Sequence, residues 1–301
     1  MNKDQVYLTL VTISLATMAL VSISEGIQLN SAFAAENGGI DFGVETIASN
    51  DCTAAGSAQC TNLAVQHASI ESTDGLLHDR ISLRNKCSDS TCDNKAVLSG
   101  TISESVGNRL RQTTYSDNTC ARDSACGNVA DNNGEIVDSS NSNINNQIGQ
   151  FNSCEIGSTC DNNAEYSAKV LRSEQSSINV QIGQNNLCKF GSECENNYGG
   201  ESAISNENGQ TSNIKVSQNN RCLFSSTCTN AASKDGTSGD YSINQNNVCI
   251  LNSECNNTGT NNFTVGLNGA KCTNSGTNTI AMCSGEGPAR IINVGNRWAF
   301  H

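Results

Sequence analysis

Sixteen cysteines, all beyond residue 50, are the side chains with the most evident chemistry in this 301-residue chain. They form pairs of an opening and a closing cysteine, and in most pairs five residues lie between the two cysteines. The pairs are Cys52 and Cys60, Cys87 and Cys92, Cys120 and Cys126, Cys154 and Cys160, Cys188 and Cys194, Cys222 and Cys228, Cys249 and Cys255, and a last, looser pair, Cys272 and Cys283. Such pairs hold either disulfides or metal ions. The lack of any CxxC and the presence of only three histidines favour disulfides in an oxidising compartment, with no metal site and no cofactor.

A second pattern surrounds the first seven pairs, because an asparagine stands two residues outside each cysteine. From Cys87 the opening cysteines follow one another at steps of 33, 34, 34, 34 and 27 residues. A fixed period in this range predicts a repeat architecture in which each unit needs its neighbours to bury a core. We expect the internal asparagines to form ladders of stacked amides along the repeats, because a buried amide is costly unless it is hydrogen-bonded. The ladder residues named by the repeats are Asn152, Asn162, Asn186, Asn196, Asn220 and Asn230.

Period-two alternation on both sides of each cysteine pair predicts β-strands. Ile178, Val180, Ile182, Gln184, Asn186 and Cys188 occupy one face, as do Cys160, Asn162, Ala164, Tyr166, Ala168 and Val170. Each unit is therefore predicted to be a strand, a short turn and a strand, stacked into an all-β solenoid of repeats of about 34 residues with one disulfide per repeat. If the turn is an arch between two layers, both sulfurs point into the gap, and each bridge contributes about 2–2.5 kcal/mol. Bonding between adjacent units is the alternative that spacing leaves open. A mostly disordered, disulfide-looped chain is a further alternative, opposed by the alternation and by the single proline.

Two stretches are ambiguous. Leu98, Ile102, Val106 and Leu110 are spaced for a helix but keep strand parity, and we predict strand for residues 95–112. Residues 131–146 are rich in Asn, Asp, Ser and Gly, which predicts a loop between units.

Four segments are predicted. Residues 1–34 have an apolar run and an A-x-A site at Ala32–Ala34, which predicts a secretory signal peptide; a retained membrane anchor is the alternative. Residues 35–49 are assigned to an N-terminal cap, 50–257 to the cysteine-paired repeats and 258–301 to a C-terminal cap. Alternation from Ile292 to Phe300 predicts an apolar lid at the end, or else a strand donated to another subunit.

Two stretches, Gln147–Asn152 and Gln181–Asn186, share Q-x-G-x-x-N. Here the chain resembles the curlin repeat of secreted bacterial fibre subunits, which stack as strand-turn-strand rungs. The resemblance implies a fibre-like fold in which Gln147, Asn152, Gln181 and Asn186 form internal amide ladders. The next unit departs from the motif, with Lys215 and Ser217 in place of Gln and Gly.

The net charge and the absence of known catalytic motifs reduce the number of functions that the sequence supports. A net charge of −12 disfavours nucleic-acid binding, and no catalytic motif is present, so we predict that the chain is not an enzyme. Asn256 and Asn262 begin N-glycosylation sequons. The leading hypothesis is a secreted or cell-surface structural protein that associates with itself into a filament, sheath or matrix, and whose mature chain spans no membrane. The alternatives are a monomeric adhesin that binds surface glycans and a carbohydrate-active β-helix enzyme.

Overall fold

The computed structural model describes residues 11–19, 23–36, 39–52, 58–70, 75–204, 209–236, 240–260, 262–267, 271–277, 280–283 and 290–291. Within these ranges, side chains are described from Gly43 to Thr258 with some gaps. Every regular element in the described residues is a β-strand.

The strands belong to two sheets that alternate along the chain. Sheet A contains β1 (Val11–Ala19), β4 (Ala58–Ile70), β6 (Ser90–Ser103), β8 (Ala125–Val137), β10 (Thr159–Leu171), β12 (Glu193–Ile204), β14 (Thr227–Gly236), β16 (Glu254–Thr260) and β18 (Lys271–Thr277). Sheet B contains β2 (Ile23–Glu36), β3 (Gly39–Cys52), β5 (Gly75–Ser88), β7 (Arg109–Ala121), β9 (Asn143–Glu155), β11 (Ser177–Lys189), β13 (Thr211–Leu223), β15 (Asp240–Ile250), β17 (Asn262–Leu267), β19 (Ile280–Cys283) and β20 (Arg290–Ile291).

From β5 to β17 each strand pairs in parallel with the strands two before and two after it. A strand of sheet B and the following strand of sheet A therefore make one rung, and the rungs stack as a parallel β-solenoid. This confirms the predicted fold class. The strand register aligns equivalent repeat positions, so that Cys160 lies beside Cys126 on one neighbouring strand and beside Cys194 on the other.

Two kinds of turn join the strands. A short turn follows the opening cysteine, as at residues 156–158, and a longer turn joins one rung to the next, as at residues 138–142. Backbone hydrogen bonds connect both kinds of turn to the neighbouring rung. At the short turn the Ile156 N–H donates to the Lys189 carbonyl at 3.2 Å, and at the long turn the Ser177 N–H donates to the Ser142 carbonyl at 2.9 Å. These bonds satisfy turn groups that would otherwise be left unpaired at the edges of the rod.

The core lies between the two sheets and follows the predicted parity. At the end near the short turns it consists of cysteines, followed by asparagines, and towards the long turns it becomes aliphatic, with Ile144, Val170, Ile178 and Ile214 buried. Outward residues such as Asp161 and Lys169 are exposed. Rods of this kind bury a narrow core, which explains the low aromatic content.

Strand was the correct prediction for most of residues 95–112, since β6 and β7 cover all but residues 104–108. Leu98, Ile102 and Leu110 are buried, whereas Val106 lies in the long turn with 48% of its surface exposed. The predicted loop between units is confirmed only for residues 138–142 and was drawn too long, because β8 continues to Val137 and β9 begins at Asn143. Turn-forming composition is overridden at residues 131–137 and 143–146 because strands on both sides hydrogen-bond the backbone in register.

The ends differ from the predicted segments. Residues 39–49 belong to β3, which pairs in parallel with β5, so this part of the expected N-terminal cap is a strand of the stack. Strands β17 to β19 likewise continue the stack beyond residue 257, and β20 turns back antiparallel on β19. The predicted terminal lid, residues 292–300, lies outside the described residues. Within the predicted signal peptide, β1 and β2 pair antiparallel with β4 and β3.

Candidate functional site

Seven disulfides form a column along the short-turn edge of the rod. Each links the opening and closing cysteines of one rung, from Cys52–Cys60 to Cys249–Cys255, with Cα–Cα distances between 6.1 and 6.5 Å. The sulfurs are buried and successive rungs bring them close; the Sγ atoms of Cys154, Cys160 and Cys194 lie within 4.8 Å of one another. The sequence left bonding within and between units open, and the fold selects bonding within the rung.

The last pair occupies a different place. Cys272 aligns with the closing Cys255, but the position that aligns with the opening Cys249 is Gly266. Cys283 aligns with Gly266 one strand further along sheet B. The side chains of Cys272 and Cys283 lie outside the described residues, so their disulfide stays a prediction. Their backbone positions show that such a bond would join consecutive rungs instead of closing one turn.

Beside the disulfides runs an unbroken zigzag of buried asparagine amides, which includes all six predicted ladder residues. Within a rung, the Nδ2 of Asn186 donates to the Oδ1 of Asn196 at 2.9 Å. Between rungs, the Nδ2 of Asn162 donates to the Oδ1 of Asn186 at 2.8 Å and to that of Asn196 at 2.9 Å. The same pattern begins at Asn50 and continues to Asn257.

The zigzag has a direction, because every amide in it donates toward the C-terminal end. The first acceptor is the Oδ1 of Asn50, which is buried and has no hydrogen-bond partner among the described residues. Since cooperative amide chains strengthen with length, a ladder of this kind favours continued stacking.

A second amide ladder is made of glutamines, but not those that the curlin resemblance implied. The Nε2 of Gln184 donates to the Oε1 of Gln150 at 2.9 Å, and the Nε2 of Gln218 donates to the Oε1 of Gln184 at 2.8 Å. Gln147 and Gln181 lie on the exposed outer face, so their assignment to an internal ladder is wrong. The signal was present in the sequence, because Gln150 and Gln184 share the parity of the cysteines and Gln147 and Gln181 do not.

Serines form further ladders at both kinds of turn. At the short turn the N–H of Ser124 donates to the Oγ of Ser158 at 3.3 Å. At the long turn the N–H of Ser139 donates to the Oγ of Ser173 at 3.2 Å. The signal for the long-turn ladder in the sequence is the recurrence of serine 34 residues apart, as at Ser139 and Ser173.

One part of the interior, at β5, β7, β8 and β9, is polar instead of aliphatic. Asp79, Gln112 and Asn146 are aligned on successive strands and buried, and side-chain oxygens and nitrogens of all three lack partners among the described atoms. Burial raises the pKa of Asp79 to about 7, because the charged form is poorly solvated there. Gly100, on the facing strand, leaves room for this layer; a Cβ there would lie 2.8 Å from the Nε2 of Gln112.

The outer faces carry the charge. Asp161 lies beside Glu195 in sheet A, and its pKa is raised by partial burial and then by Glu195 and Glu193. At the long turn, the Arg172 guanidinium donates twice to Asp138 at 2.7 Å and lowers the pKa of that carboxyl.

Each outer face has a shallow groove. The groove on sheet B has a volume of about 480 Å³, and its floor includes Gly149 and Gly183 between Gln147, Gln181 and Lys215. The groove on sheet A has a volume of about 330 Å³ and gathers Asp131, Glu165 and Glu201.

Of the two sequon asparagines, Asn256 lies half-buried on the outer face of β16. Asn262 is in β17, where its register partner is Gln245, and its side chain lies outside the described residues.

None of the described residues belongs to a helix that could cross a membrane. No family model matches the sequence, and neither a curated protein nor a solved structure matches it.

Proposed function

We propose that the chain is a secreted structural protein that stacks end to end into an extracellular filament, sheath or matrix. The observation that carries this proposal is the directional asparagine zigzag from Asn50 to Asn257, together with in-register parallel pairing in both sheets. A rung adds the same hydrogen bonds whether the next rung belongs to the same chain or to another copy. The Oδ1 of Asn50, which has no partner within the described part of the chain, is an acceptor at the end that the next copy would meet.

The N-terminal end offers a reason why stacking would begin only after processing. In residues 1–301, β1 pairs with β4 and β2 with β3, so both strands at the N-terminal edge of the solenoid are covered. Cleavage after Ala34 removes β1 and nearly all of β2. The edges of β3 and β4 then expose unpaired backbone N–H and C=O groups, which are strong templates for a strand of another copy.

The remaining support comes from chemistry. Seven buried disulfides suit an oxidising, extracellular setting, where a narrow core needs covalent reinforcement. The resemblance of Q-x-G-x-x-N to the curlin repeat points to the same kind of assembly. The net charge of −12 keeps such rods dispersed until their ends meet.

The test compares two forms of the chain, residues 1–301 and residues 35–301, refolded with oxidised disulfides. We expect the shorter form to assemble into filaments with a reflection of about 4.8 Å along the filament axis, since the strands lie across the rod. The longer form is expected to remain monomeric because its N-terminal edge is covered by β1 and β2. Compact monomers of the shorter form at all concentrations, seen by electron microscopy and sedimentation, would contradict the proposal.

The groove on sheet B favours a second candidate, a monomeric adhesin that holds a glycan. Polar amides along a glycine floor are suited to an extended polysaccharide. Binding of a surface polysaccharide by the monomer, abolished by Gly183→Trp and without any polymer, would support this candidate over the first. A carbohydrate-cleaving activity would instead need Asp131, Glu165 or Glu201, and their amide variants test it by loss of hydrolysis.

A further inference from the structure

The short turns hold bulky residues in a backbone conformation that such residues rarely adopt. The second residue after the opening cysteine is Ile156, Phe190, Phe224 or Leu251 in four successive rungs, and its φ lies between 54° and 59°. A left-handed conformation at a β-branched or aromatic residue costs about 1–2 kcal/mol and occurs mostly where function requires it. Asn, Asp or Gly would occupy these positions at lower cost.

These same four residues are exposed. Ile156 and Phe190 each expose 51% of their surface, Phe224 exposes 42% and Leu251 36%; they are four of the six large apolar residues exposed among the described side chains. We call them the turn stripe. The Phe190 and Phe224 rings stack with centroids 4.8 Å apart and planes 10° apart. The two preceding short turns carry Asp89 and Arg122 at this position, so the fold itself does not require an apolar residue.

We propose that the turn stripe docks a second copy of this chain side by side, and that it bundles the filaments of the proposed function. Strain and exposure both raise the free energy of an isolated rod. Covering the stripe with apolar surface offsets that cost. The inference rests on the proposed end-to-end assembly for its full effect.

The ring geometry disfavours a sugar as the occupant. A sugar packs against the flat face of an aromatic ring, but Phe190 and Phe224 cover one face of each other. The turn hydrogen bonds place Ile156 and Leu251 on the rungs to either side of this stacked pair. The stripe is therefore a continuous row of aliphatic side chains and partly covered rings, and an apolar protein surface is the better partner.

The apolar area that the turn stripe exposes explains why bundling would follow filament formation. Four half-exposed side chains present roughly 300–350 Å² of apolar surface per copy. A stable interface needs about 800 Å² per partner, so two free monomers would pair only weakly. When copies are joined end to end, each additional stripe binds without a new loss of orientational freedom, and the contacts add along the filament. The Lys189 Nζ lies 2.8 Å from the Glu155 Oε1, and this ion pair neutralises charge beside the stripe.

The test uses Phe190→Asn with Phe224→Asn in residues 35–301. Asparagine tolerates the left-handed backbone, so the variant is expected to fold with at least native thermal stability. We expect single filaments to form as before, while the fraction in laterally associated bundles, measured by electron microscopy and low-speed sedimentation, falls about tenfold or more. The matched control is Val106→Asn, an exposed apolar residue at the opposite edge, which should leave bundling unchanged.

Bundles of native width in the double variant would overturn the inference, as would a loss of bundling in the control. If no form of the chain makes filaments, the proposed function fails and the stripe is tested on monomers. Concentrated native monomers should then show weak pairing by sedimentation equilibrium that the double variant lacks, and identical profiles would overturn the inference. Protection of the stripe by a polysaccharide alone would also overturn it.

Discussion

The Nδ2 of Asn162 donates to the Oδ1 of Asn196, the same position of the next repeat 34 residues later, at 2.9 Å. Asn162 also accepts from the Nδ2 of Asn152 at 2.9 Å within its own rung. Because the Nδ2 of Asn162 donates to the Oδ1 of Asn186 as well, one side chain connects both strands of its own rung with both strands of the next. The stack depends on this amide in a way that composition alone does not reveal.

Replacing Asn162 with alanine is therefore expected to destabilise the rungs around β10 by about 2–4 kcal/mol, because donors and acceptors that remain buried lose their partner. Native-state hydrogen exchange should show the loss in β9 to β12 more than in β5 and β6. Asn145→Ala is the control, since Asn145 is exposed on the outer face of β9 and should change stability by less than about 0.5 kcal/mol. Equal effects of the two variants would contradict the ladder.

The disulfide column leads to a prediction about thiol–disulfide exchange between neighbouring rungs. Removing both Cys188 and Cys194 should lower the free energy of unfolding by about 2 kcal/mol. Removing only Cys194 leaves a thiol at Cys188, whose Sγ lies within 4.8 Å of those of Cys222 and Cys228. At a pH of about 8.5 the thiolate should attack that disulfide.

Non-reducing peptide mapping measures the outcome. The single variant is expected to show Cys188 joined to Cys222 or Cys228, and the double variant only the native pairs. A Cys188 that stays free in the single variant would contradict the described closeness of disulfides on neighbouring rungs. Links between distant rungs in the native protein would contradict the pairing within each rung.

Asp79 leads to a pH dependence. Its pKa rises from 3.8 when unfolded to about 7 when buried. Below pH 4 the carboxyl is protonated in both states and costs nothing. As pH rises from 4 to 7 only the unfolded chain loses the proton, so stability falls, and above pH 7 the loss is constant at on the order of 4 kcal/mol.

Asp79→Asn should remove this slope, so that the variant exceeds the native chain in stability at pH 8 and nearly matches it at pH 4. Its strand neighbours Val44 and Gln112 do not titrate, and neither does Gly100 across the core. Chemical denaturation across this pH range measures the difference. Parallel curves for the two proteins would show that Asp79 is not buried as described.

Two glycines in strands should respond differently to alanine. A Cβ on Gly100 would lie 2.0 Å from the Cδ2 of Leu110, so Gly100→Ala should cost about 1–3 kcal/mol through overpacking. A Cβ on Gly183 would meet nothing within 4 Å, and Gly183→Ala should be neutral or stabilise by a few tenths to about 1 kcal/mol. Thermal unfolding of both variants checks this, and a destabilised Gly183→Ala would mean that the outer groove is packed.

Sequence spacing was sufficient for much of this architecture. The alignment of cysteines, asparagines and serines in repeated units sets the rung, and period-two parity already separates the buried Gln184 from the exposed Gln181. Composition was misleading at residues 131–137 and 143–146, where turn-forming residues lie in β8 and β9 on either side of the long turn. The alternation of buried and exposed positions can be read from the local sequence without tertiary contacts. Whether a segment rich in turn-forming residues becomes a strand depends instead on the hydrogen bonds that neighbouring rungs offer it.

By itself, then, the sequence determined the repeat, the strand faces and the amides that would stack. Only the tertiary structure decided that disulfides close single rungs, that Cys272 and Cys283 lie on consecutive rungs, that Asp79 and Gln112 meet inside, and that Phe190 and Phe224 stack outside. The physical reason is that each of these relationships joins residues on different strands, and stacking in register, not spacing along the chain, brings them within contact distance.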